Sequence, residues 1–506
     1  MIFFVSQKRI KKICKKVKVL PKEEIEEEEL EKELPKELGV PKISNFPVWY
    51  NRIIQLSDLI EKRYNVAGMF VWKPYGFQIM KNIKNIWDKL FAESGIQETY
   101  FPLIVPLEYA QMNKSWFDGF ESEVFWVKGR GEGEPTNILR PTGEPAMYPI
   151  FAKWIRSYKD LPLRIYETVS SFRYETKHTR PLIRDREITF WYEIHTAHET
   201  REESEAELKE HIRINEEIWK TLALPSIKVI KPQWEVFPGA VGAVEFYNIM
   251  PNGRMLENGS CNNLGQAYAE KFEITYVDKK NQRQYVWQTC TGNGARYLVA
   301  VIALHGDDKG LVIPPRIAPI QVVILPIFKG TIDEVMPTCK EIAEQLMKHD
   351  ITVKIDDSEK TPGEKFIIWE IKGVPLRLEI GPKEVEEKFV TAMRRDVGKR
   401  QKVEMKDLAL KIAVLLEQVQ TNLYLKVQKF YEEKIVEIDE YNQLESQINK
   451  GKVAVISWCG SDDCADEVQR FEGIEMVGNV FDKKVEGKCI ICLRETTTKT
   501  YVAKTY

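Results

Sequence analysis

The densest chemistry in the chain runs from Phe172-Arg173-Tyr174-Glu175, through a loop carrying His178, Arg180, Arg184 and Arg186, to Phe190 and Trp191. Two arginines set apart along a hairpin can grip a triphosphate, because guanidinium forks match pairs of phosphate oxygens. A carboxylate two residues from an arginine shares its strand face, where it can accept from an adenine amino group. An aromatic across the hairpin supplies a stacking floor. The same residue types also fit a surface hairpin laced with ion pairs, and the hairpin alone leaves both readings open.

A second concentration of reactive side chains is Cys459-x₄-Cys464 with Cys489-x₂-Cys492. Four thiolates suit tetrahedral Zn²⁺, and a closed set of four protein ligands means a structural ion, with unligated buried thiols as the alternative. Cys14, Cys261, Cys290 and Cys339 are scattered. In a reducing compartment the cluster reads as metal ligation and not as disulfides.

The elements that must position these groups can be read in outline. Residues 75–97 carry helical periodicity ending at Gly95, and Glu98–Pro106 is strand-like. Leu163–Ala197 reads as two strands around the basic loop. Gly and Asn punctuate 251–263 before a helix-like Leu264–Phe272, and Thr289–His305 passes from a glycine-containing loop into an apolar helix. Pro314, Pro315 and Pro319 mark a linker. Beyond it, β-rich and helical stretches alternate (Gln321–Leu325, Asp333–Lys348, Thr352–Asp356, Pro375–Ile380), which predicts a small α/β domain with a mixed sheet, followed by a long polar helix over about 404–434. There is no internal repeat and no GxxxxGK[ST] phosphate loop.

Composition bounds the setting. A chain of 506 residues exceeds what one hydrophobic core supports, so three or four domains are expected. Hydrophobic residues make up 43% and charged residues 30%, and a net charge of -2 gives no overall positive field to hold a polyanion. Nucleic-acid contact must then come from local basic surface and shape. Residues 1–44 split into a basic stretch, Lys8–Lys18, and an acidic one, Lys22–Glu37; the basic half suits either RNA contact or a solvated arm. No apolar run approaches a bilayer-spanning length, and Met1–Val5 is too short for a signal segment, so a cytoplasmic location is expected.

Taken in order, these pieces resemble the class II aminoacyl-tRNA synthetases. Phe172-Arg173-Tyr174-Glu175 matches their second motif, the Gly-x-Gly-x-Arg passage ending at Arg296 their third, and Glu98–Pro106, with Pro102, their first. Within that class the chain is similar to the prolyl-tRNA synthetases of archaeal and eukaryotic type. Arg140-Pro141-Thr142-Gly143-Glu144, the run from Phe172 to Glu187, the passage from Glu193 to His198, Asn263-Leu264-Gly265-Gln266 and the passage from His305 to Leu311 carry that likeness over roughly residues 45–506. Pro362–Phe366, Gly373–Pro382 and Arg394-Arg395-Asp396 carry it through the family's anticodon-binding part.

The resemblance implies an α/β (α+β) protein: a charged extension at 1–44, a class II antiparallel-sheet catalytic domain at 45–315, an α/β anticodon-binding domain at 316–417 and a small zinc-containing α+β domain at 418–506. It implies an ATP-dependent ligase that makes prolyl-adenylate and transfers proline to the 3′ end of tRNA, as a homodimer with Mg²⁺ at the nucleotide and structural Zn²⁺ on Cys459, Cys464, Cys489 and Cys492. Carried over residue by residue, Arg173 would hold the α-phosphate and the substrate carboxylate, Glu175 the adenine amino group, and Arg184 and Arg296 the outer phosphates. Thr142 and Glu144 would bind the substrate nitrogen; Trp191, Glu193, His195 and Phe237 would line the side-chain pocket, with Cys290 at its floor. Glu257 is the candidate Mg²⁺ ligand and Ser260 joins it among the cofactor-binding residues; Arg377, Glu379 and Arg394 are the candidates for base contact, with ion pairing as the alternative. The interval between the second and third motifs leaves no room for the bacterial branch's editing insertion. The Ala503-Lys504-Thr505-Tyr506 ending matches the family's, whose terminal carboxylate points toward the active site.

Several pocket positions depart from the family. Thr142-Gly143-Glu144 stands for its Thr-Ser-Glu, Cys290-Thr291-Gly292 for its [Ser or Cys]-[Trp or Tyr]-Gly, Asn262 for a His, Val241-Gly242-Ala243 for Glu-Tyr-Thr, and Glu257 for a Gln. Large-to-small changes leave unfilled volume, which points to a pocket for something bulkier than proline unless neighbours refill it. The alternatives to proline charging are thus a paralogue activating a bulkier amino acid, or a non-catalytic RNA-binding relative.

Overall fold

The computed structural model describes residues 38–506 except 132, 177, 237–238 and 329–331. The charged extension expected at 1–44 lies almost wholly outside the described residues.

Eleven strands form the central sheet. In chain order they are β1 (Gln97–Glu98), β2 (Leu163–Phe172), β3 (Glu187–His198), β4 (Ile227–Ile230), β5 (Gly242–Ile249), β6 (Met255–Gly265), β7 (Trp287–Asn293), β8 (Ile435–Glu437), β9 (Val453–Ser457), β10 (Glu475–Lys488) and β11 (Glu495–Ala503). Their spatial order is β8-β9-β11-β10-β4-β5-β6-β7-β3-β2-β1. From β4 across to β2 every pairing is antiparallel.

Four helices matter to the site: α1 (Glu144–Trp154), α2 (Arg201–Thr221), α3 (Arg296–His305) and α4 (Leu408–Lys434). Thr200 starts α2 by accepting a hydrogen bond from the Glu203 backbone N at 3.2 Å. Helices α2 and α3 pack on one face of the sheet, where Tyr192 and Ile194 of β3 share a core with Ile214, Ile218, Trp219 and Tyr297. Each such side chain taken fully out of water contributes about 1.5–3 kcal/mol. Tyr192 and Tyr297 both donate to Asn215 Oδ1, at 3.1 and 2.9 Å, which fixes the two helices against β3. Because strand side chains alternate, Glu193 and His195 then face the other way.

The strand-like stretch Glu98–Pro106 divides. β1 belongs to the central sheet, whereas Ile104–Pro106 pairs with Asn137–Leu139 in a three-stranded sheet. Pro102 has no N–H to give a ladder, so one continuous strand is not available there. The helix anticipated from Leu264 begins at Ala267, because Leu264 and Gly265 still belong to β6.

Beyond the linker, five strands stand in the order Val353–Ile355, Val322–Pro326, Leu376–Ile380, Phe389–Arg394, Lys399–Glu404. The first two pairings are parallel and the last two antiparallel, the mixed sheet the sequence predicts. Helix α4 is amphipathic where a polar helix was anticipated. Leu408, Ile412 and Leu416 enter the core of this sheet, Val419 and Leu423 meet Ala223 and Val312, and Val427 and Tyr431 reach the catalytic core. It therefore runs straight through the 417/418 boundary. After it, β8 to β11 do not form a sheet of their own: β10 pairs with β4 through Asn479–Ile230 and Val480–Val229, which extends the central sheet.

Candidate active site

Strand register assembles the site. On the face turned away from α2, Glu167, Glu193, Gly292, Ser260 and Glu245 stand opposite one another across β2, β3, β7, β6 and β5. Two residues along, a parallel row brings His195, Cys290 and Asn262 together. The loop before α1 adds Thr142 and Glu144. These rows floor a cleft of about 290 Å³ whose walls include Arg173, Glu175, Arg184, Trp191, Glu257 and Arg296. The cleft thus brings together every ATP- and amino-acid-site residue expected from the sequence except Phe237, which lies outside the described residues.

One end of the cleft is a buried acid–base cavity. The Thr142 hydroxyl lies 2.7 Å from Glu144 Oε2 and 2.6 Å from Glu193 Oε1. One hydroxyl carries one proton, so two such contacts require a proton on a carboxyl as well. Burial, together with the charge of Glu193, raises Glu144 above the usual carboxylate range, whereas the neighbouring His195 outweighs burial and holds Glu193 down to about 2. Of the two carboxyls, Glu144 is accordingly the one whose surroundings favour carrying that proton. Burial depresses His195, but Glu193 and Glu144 more than compensate and raise it. Its Nδ1 meets Tyr148 Oη at 2.9 Å, and Nε2 lies 3.9 Å from Glu193 Oε2. The floor is Cys290, whose thiol is pushed well up by burial and takes a hydrogen bond from Asn262 Nδ2 at 3.6 Å. Beneath it, Arg140 and Glu167 form a fully buried ion pair at 2.6 Å, and Glu167 accepts from Phe101 N at 2.9 Å. That pair ties the Thr142 loop to β2.

The other end is lined by arginines with little internal pairing. Arg173 and Glu175 follow β2 in the loop instead of sharing its face, so their proximity comes from the turn and not from strand alternation. Arg173 gives one hydrogen bond, from Nε to Pro141 O at 3.2 Å, and its guanidinium carbon stands 5.5 and 6.0 Å from the rings of Phe120 and Trp191. Arg184 approaches Glu175 only at 3.9 Å. Arg296 donates to Ile183 O at 3.2 Å and pairs with Glu257 Oε2 at 2.7 Å. Glu245 sits beside Glu257, and burial plus that neighbouring charge push its carboxyl up to about 7.

The unfilled volume expected at the divergent positions is occupied only in part. At Gly143 a Cβ would lie 2.3 Å from Glu193 Oε2, whereas at Gly242 a Cβ would meet nothing within 4 Å. Thr291 turns to the helix side, where its hydroxyl meets His211 Nδ1 at 2.9 Å. Glu193 thus fills the space at Gly143, which removes the argument for a bulkier guest at that position, while the space beside Gly242 stays open.

Outside the cleft, Cys459 Sγ is 3.7 Å from Cys464 Sγ and 3.6 Å from Cys492 Sγ, with Cys489 in the same cluster. Two sulfurs on one tetrahedral zinc, each at ~2.3 Å, stand ~3.8 Å apart, so the four thiols fit the ion. In the five-stranded domain, Arg377 Nε and Nη2 donate to Glu379 Oε1 at 3.0 and 2.9 Å, Arg400 also reaches Glu379, and Arg394 is held by Asp396 at 3.1 and 2.7 Å. Arg377 is 5% exposed, its guanidinium enclosed under Phe366.

Sequence reasoning passed over Asp185, Glu245 and the Arg140–Glu167 pair. Asp185 stood in plain view inside Arg184-Asp185-Arg186; it is buried, accepts from Leu182 N at 2.8 Å, and burial raises it well above the usual range. Glu245 could be found only from register, opposite Ser260.

Comparison with known proteins agrees with this geometry. The description "tRNA synthetase class II core domain (G, H, P, S and T)" matches residues 125–305, an anticodon binding domain matches 321–415, and "Prolyl-tRNA synthetase, C-terminal" matches 441–506. The fold and cleft are those of a class II tRNA synthetase. A proline–tRNA ligase from Methanosarcina mazei is 41% identical over 94% of this chain and 100% of its own length, and one from Methanothrix thermoacetophila is 42% identical over 92% and 98%. The solved structure of Giardia lamblia prolyl-tRNA synthetase in complex with prolyl-adenylate superposes with a TM-score of 0.89 at 33% identity, covering 92% of this chain and 99% of that one. The Cryptosporidium parvum enzyme complexed with L-proline and AMP gives 0.87 at 33% identity, covering 92% and 96%. The chain belongs to the prolyl-tRNA synthetase family.

Proposed function

We propose that this chain activates proline with ATP and transfers it to the 3′ end of tRNA. The observation that carries this reading is the single cleft in which Arg173, Arg184 and Arg296 converge beside the cavity of Thr142, Glu144, Glu193 and His195. The amino-acid carboxylate attacks the α-phosphorus in line, forming the carboxyl–phosphate bond as the bond to pyrophosphate breaks. No side-chain nucleophile is needed, because charge stays on phosphate oxygens. Arg173 faces the α-phosphate and the substrate carboxylate; Arg184 and Arg296 face the leaving pyrophosphate. Guanidinium groups already in place spare the reorganisation that water would require. Glu175 accepts from the adenine amino group, and Trp191 closes the junction between nucleotide and amino acid.

In the cavity, the secondary ammonium of proline replaces the extra proton between Thr142 and its two carboxylates, so Glu144 ionises as the amino acid seats. Glu257 and Ser260, with Glu245 alongside, supply oxygen ligands that fit a hard cation. A Mg²⁺ ion held there would neutralise phosphate charge. Cys459, Cys464, Cys489 and Cys492 would hold a structural Zn²⁺.

The five-stranded domain offers tRNA its basic edge. Arg377 fixes Glu379 from within and Asp396 holds Arg394, so the half-exposed Arg400 is the side chain we assign to a base contact. A second copy of the chain would cover the exposed Tyr100 and Ile104, 71% and 50% accessible. No helix among the described residues is long and apolar enough to cross a membrane, and we place the protein in the cytoplasm. Pyrophosphate exchange with each amino acid, followed by charging of total tRNA, tests the reading. Exchange with proline well above all other amino acids is expected; none above background would overturn it.

A further inference from the structure

The amino-acid cavity holds a group of side chains that adenylate formation does not require as a set. Glu144, His195 and Cys290 each offer one ligand atom, and the three atoms lie within 4.8 Å of one another. They come from the head of α1, from β3 and from β7, and are joined by the His195–Cys290 register pairing. All three are buried, at 2%, 1% and 6% exposure. His195 is held by its outer nitrogen, Nδ1, against the Tyr148 hydroxyl at 2.9 Å, while Nε2 has no hydrogen-bond partner among the described residues. A histidine anchored through one ring nitrogen with the other presented inward is the arrangement metal-bound histidines adopt, and the anchor fixes both ring orientation and tautomer. Cys290 Sγ takes a hydrogen bond from Asn262, which suits a thiolate. Glu193 Oε2, also without a hydrogen-bond partner, lies 3.9 Å from His195 Nε2. Gly143 makes this crowding feasible, since any Cβ there would stand in the way of Glu193.

We propose that Glu144, His195 and Cys290 form a binding site for a divalent transition-metal ion of the zinc type, and that the ion and the amino acid exclude each other from the cavity. Nitrogen, sulfur and carboxylate oxygen together are a donor set that zinc accepts, and three protein ligands leave a fourth position open toward the cleft. On binding, the Cys290 thiol and the Glu144 carboxyl each give a proton to solvent as the sulfur and the carboxylate oxygen bond to the metal; nothing is oxidised or reduced. Exclusion follows from charge: the ion takes Glu144, the carboxylate assigned above to the substrate nitrogen, and a cation there repels the cationic amine. The exclusion clause rests on the amino acid occupying this cavity, whereas metal binding does not, so the two fail separately.

The full chain is dialysed against Zn²⁺ and its bound metal counted by elemental analysis, alongside Cys290→Ser and His195→Ala. Each variant is expected to bind one equivalent fewer than the unchanged protein, whatever the four-thiol cluster retains. Tyr148→Phe keeps the equivalent but weakens it by about 10- to 100-fold, the usual cost of losing an outer hydrogen bond to a metal-bound histidine. Saturating proline is expected to release that same equivalent from the unchanged protein. Equal metal content in all the proteins would overturn the site, and metal that stays bound under saturating proline would overturn the exclusion.

Discussion

Arg173 and Arg184 of the cleft and the arginines of the five-stranded domain are the same residue type in opposite conditions, with Arg296, paired to Glu257, between them. Arg377, Arg394 and Arg395 are each clasped by a carboxylate through two short contacts, Arg395 by Asp307 at 2.6 and 2.7 Å. Among the described residues the Arg173 guanidinium meets one backbone carbonyl, and Arg184 a distant carboxylate. An arginine whose donors are already spent shapes the protein, while one with donors left over awaits a ligand. The buried polar groups follow the same rule: His195 Nε2 and Glu193 Oε2 stay unsatisfied where the substrate must enter.

Four measurements break or sharpen this contrast. Arg377→Ala leaves the part-buried Glu379 to the exposed Arg400 alone, so stability should fall by about 3 kcal/mol, the low end of the cost of breaking a buried pair, while pyrophosphate exchange at low temperature is kept. Denaturant unfolding with parallel exchange assays reads both, and lost exchange in a still-folded variant would break the distinction. Arg173→Ala should do the reverse, lowering the exchange rate by about 10²- to 10³-fold with the unfolding midpoint little changed. Acidification should then reveal the buried histidines. Burial lowers His198 to about 4 and His305 to about 3, against 6.5 when unfolded. The unfolded chain therefore binds protons first, and stability is full above pH 6.5 and falls as pH drops toward 3. Thermal unfolding across that range checks the slope, which His198→Asn should flatten. The smallest effect belongs to Glu257→Gln. It frees the half-exposed Arg296 but also takes the charge from a ligand assigned to Mg²⁺, so the KM for ATP should rise by less than about 5-fold; a fall would take Glu257 off the cation and leave it only a partner of Arg296.

Much of the cleft was legible because its residues cluster in sequence. Arg173, Glu175 and Arg184 lie on one hairpin, and Thr142 with Glu144 on one short loop. Glu245 was not legible, since it reaches the site only by standing opposite Ser260, and register is a tertiary property. The volume argument at Gly143 failed for a related reason. A missing side chain predicts a hole only if nothing nearby can lean in, and Glu193 does. The C-terminal strands could be anticipated as strands but not as an extension of the catalytic sheet, because a polar, alternating pattern does not name its partner edge. Helix α4 was misjudged as polar because its apolar stripe serves three different cores in turn.

That stripe has a mechanical meaning. At 27 residues, α4 is a stiff rod of about 40 Å. Its far end is latched where the Tyr431 hydroxyl meets Asn248 and the Ile249 backbone N on β5, the strand that carries Glu245 into the cleft. One residue inserted at its midpoint would turn the downstream half by about 100°, and no loop lies between to absorb the twist. The spacing between the tRNA-reading lobe and the ligase chamber is therefore set in whole helical turns.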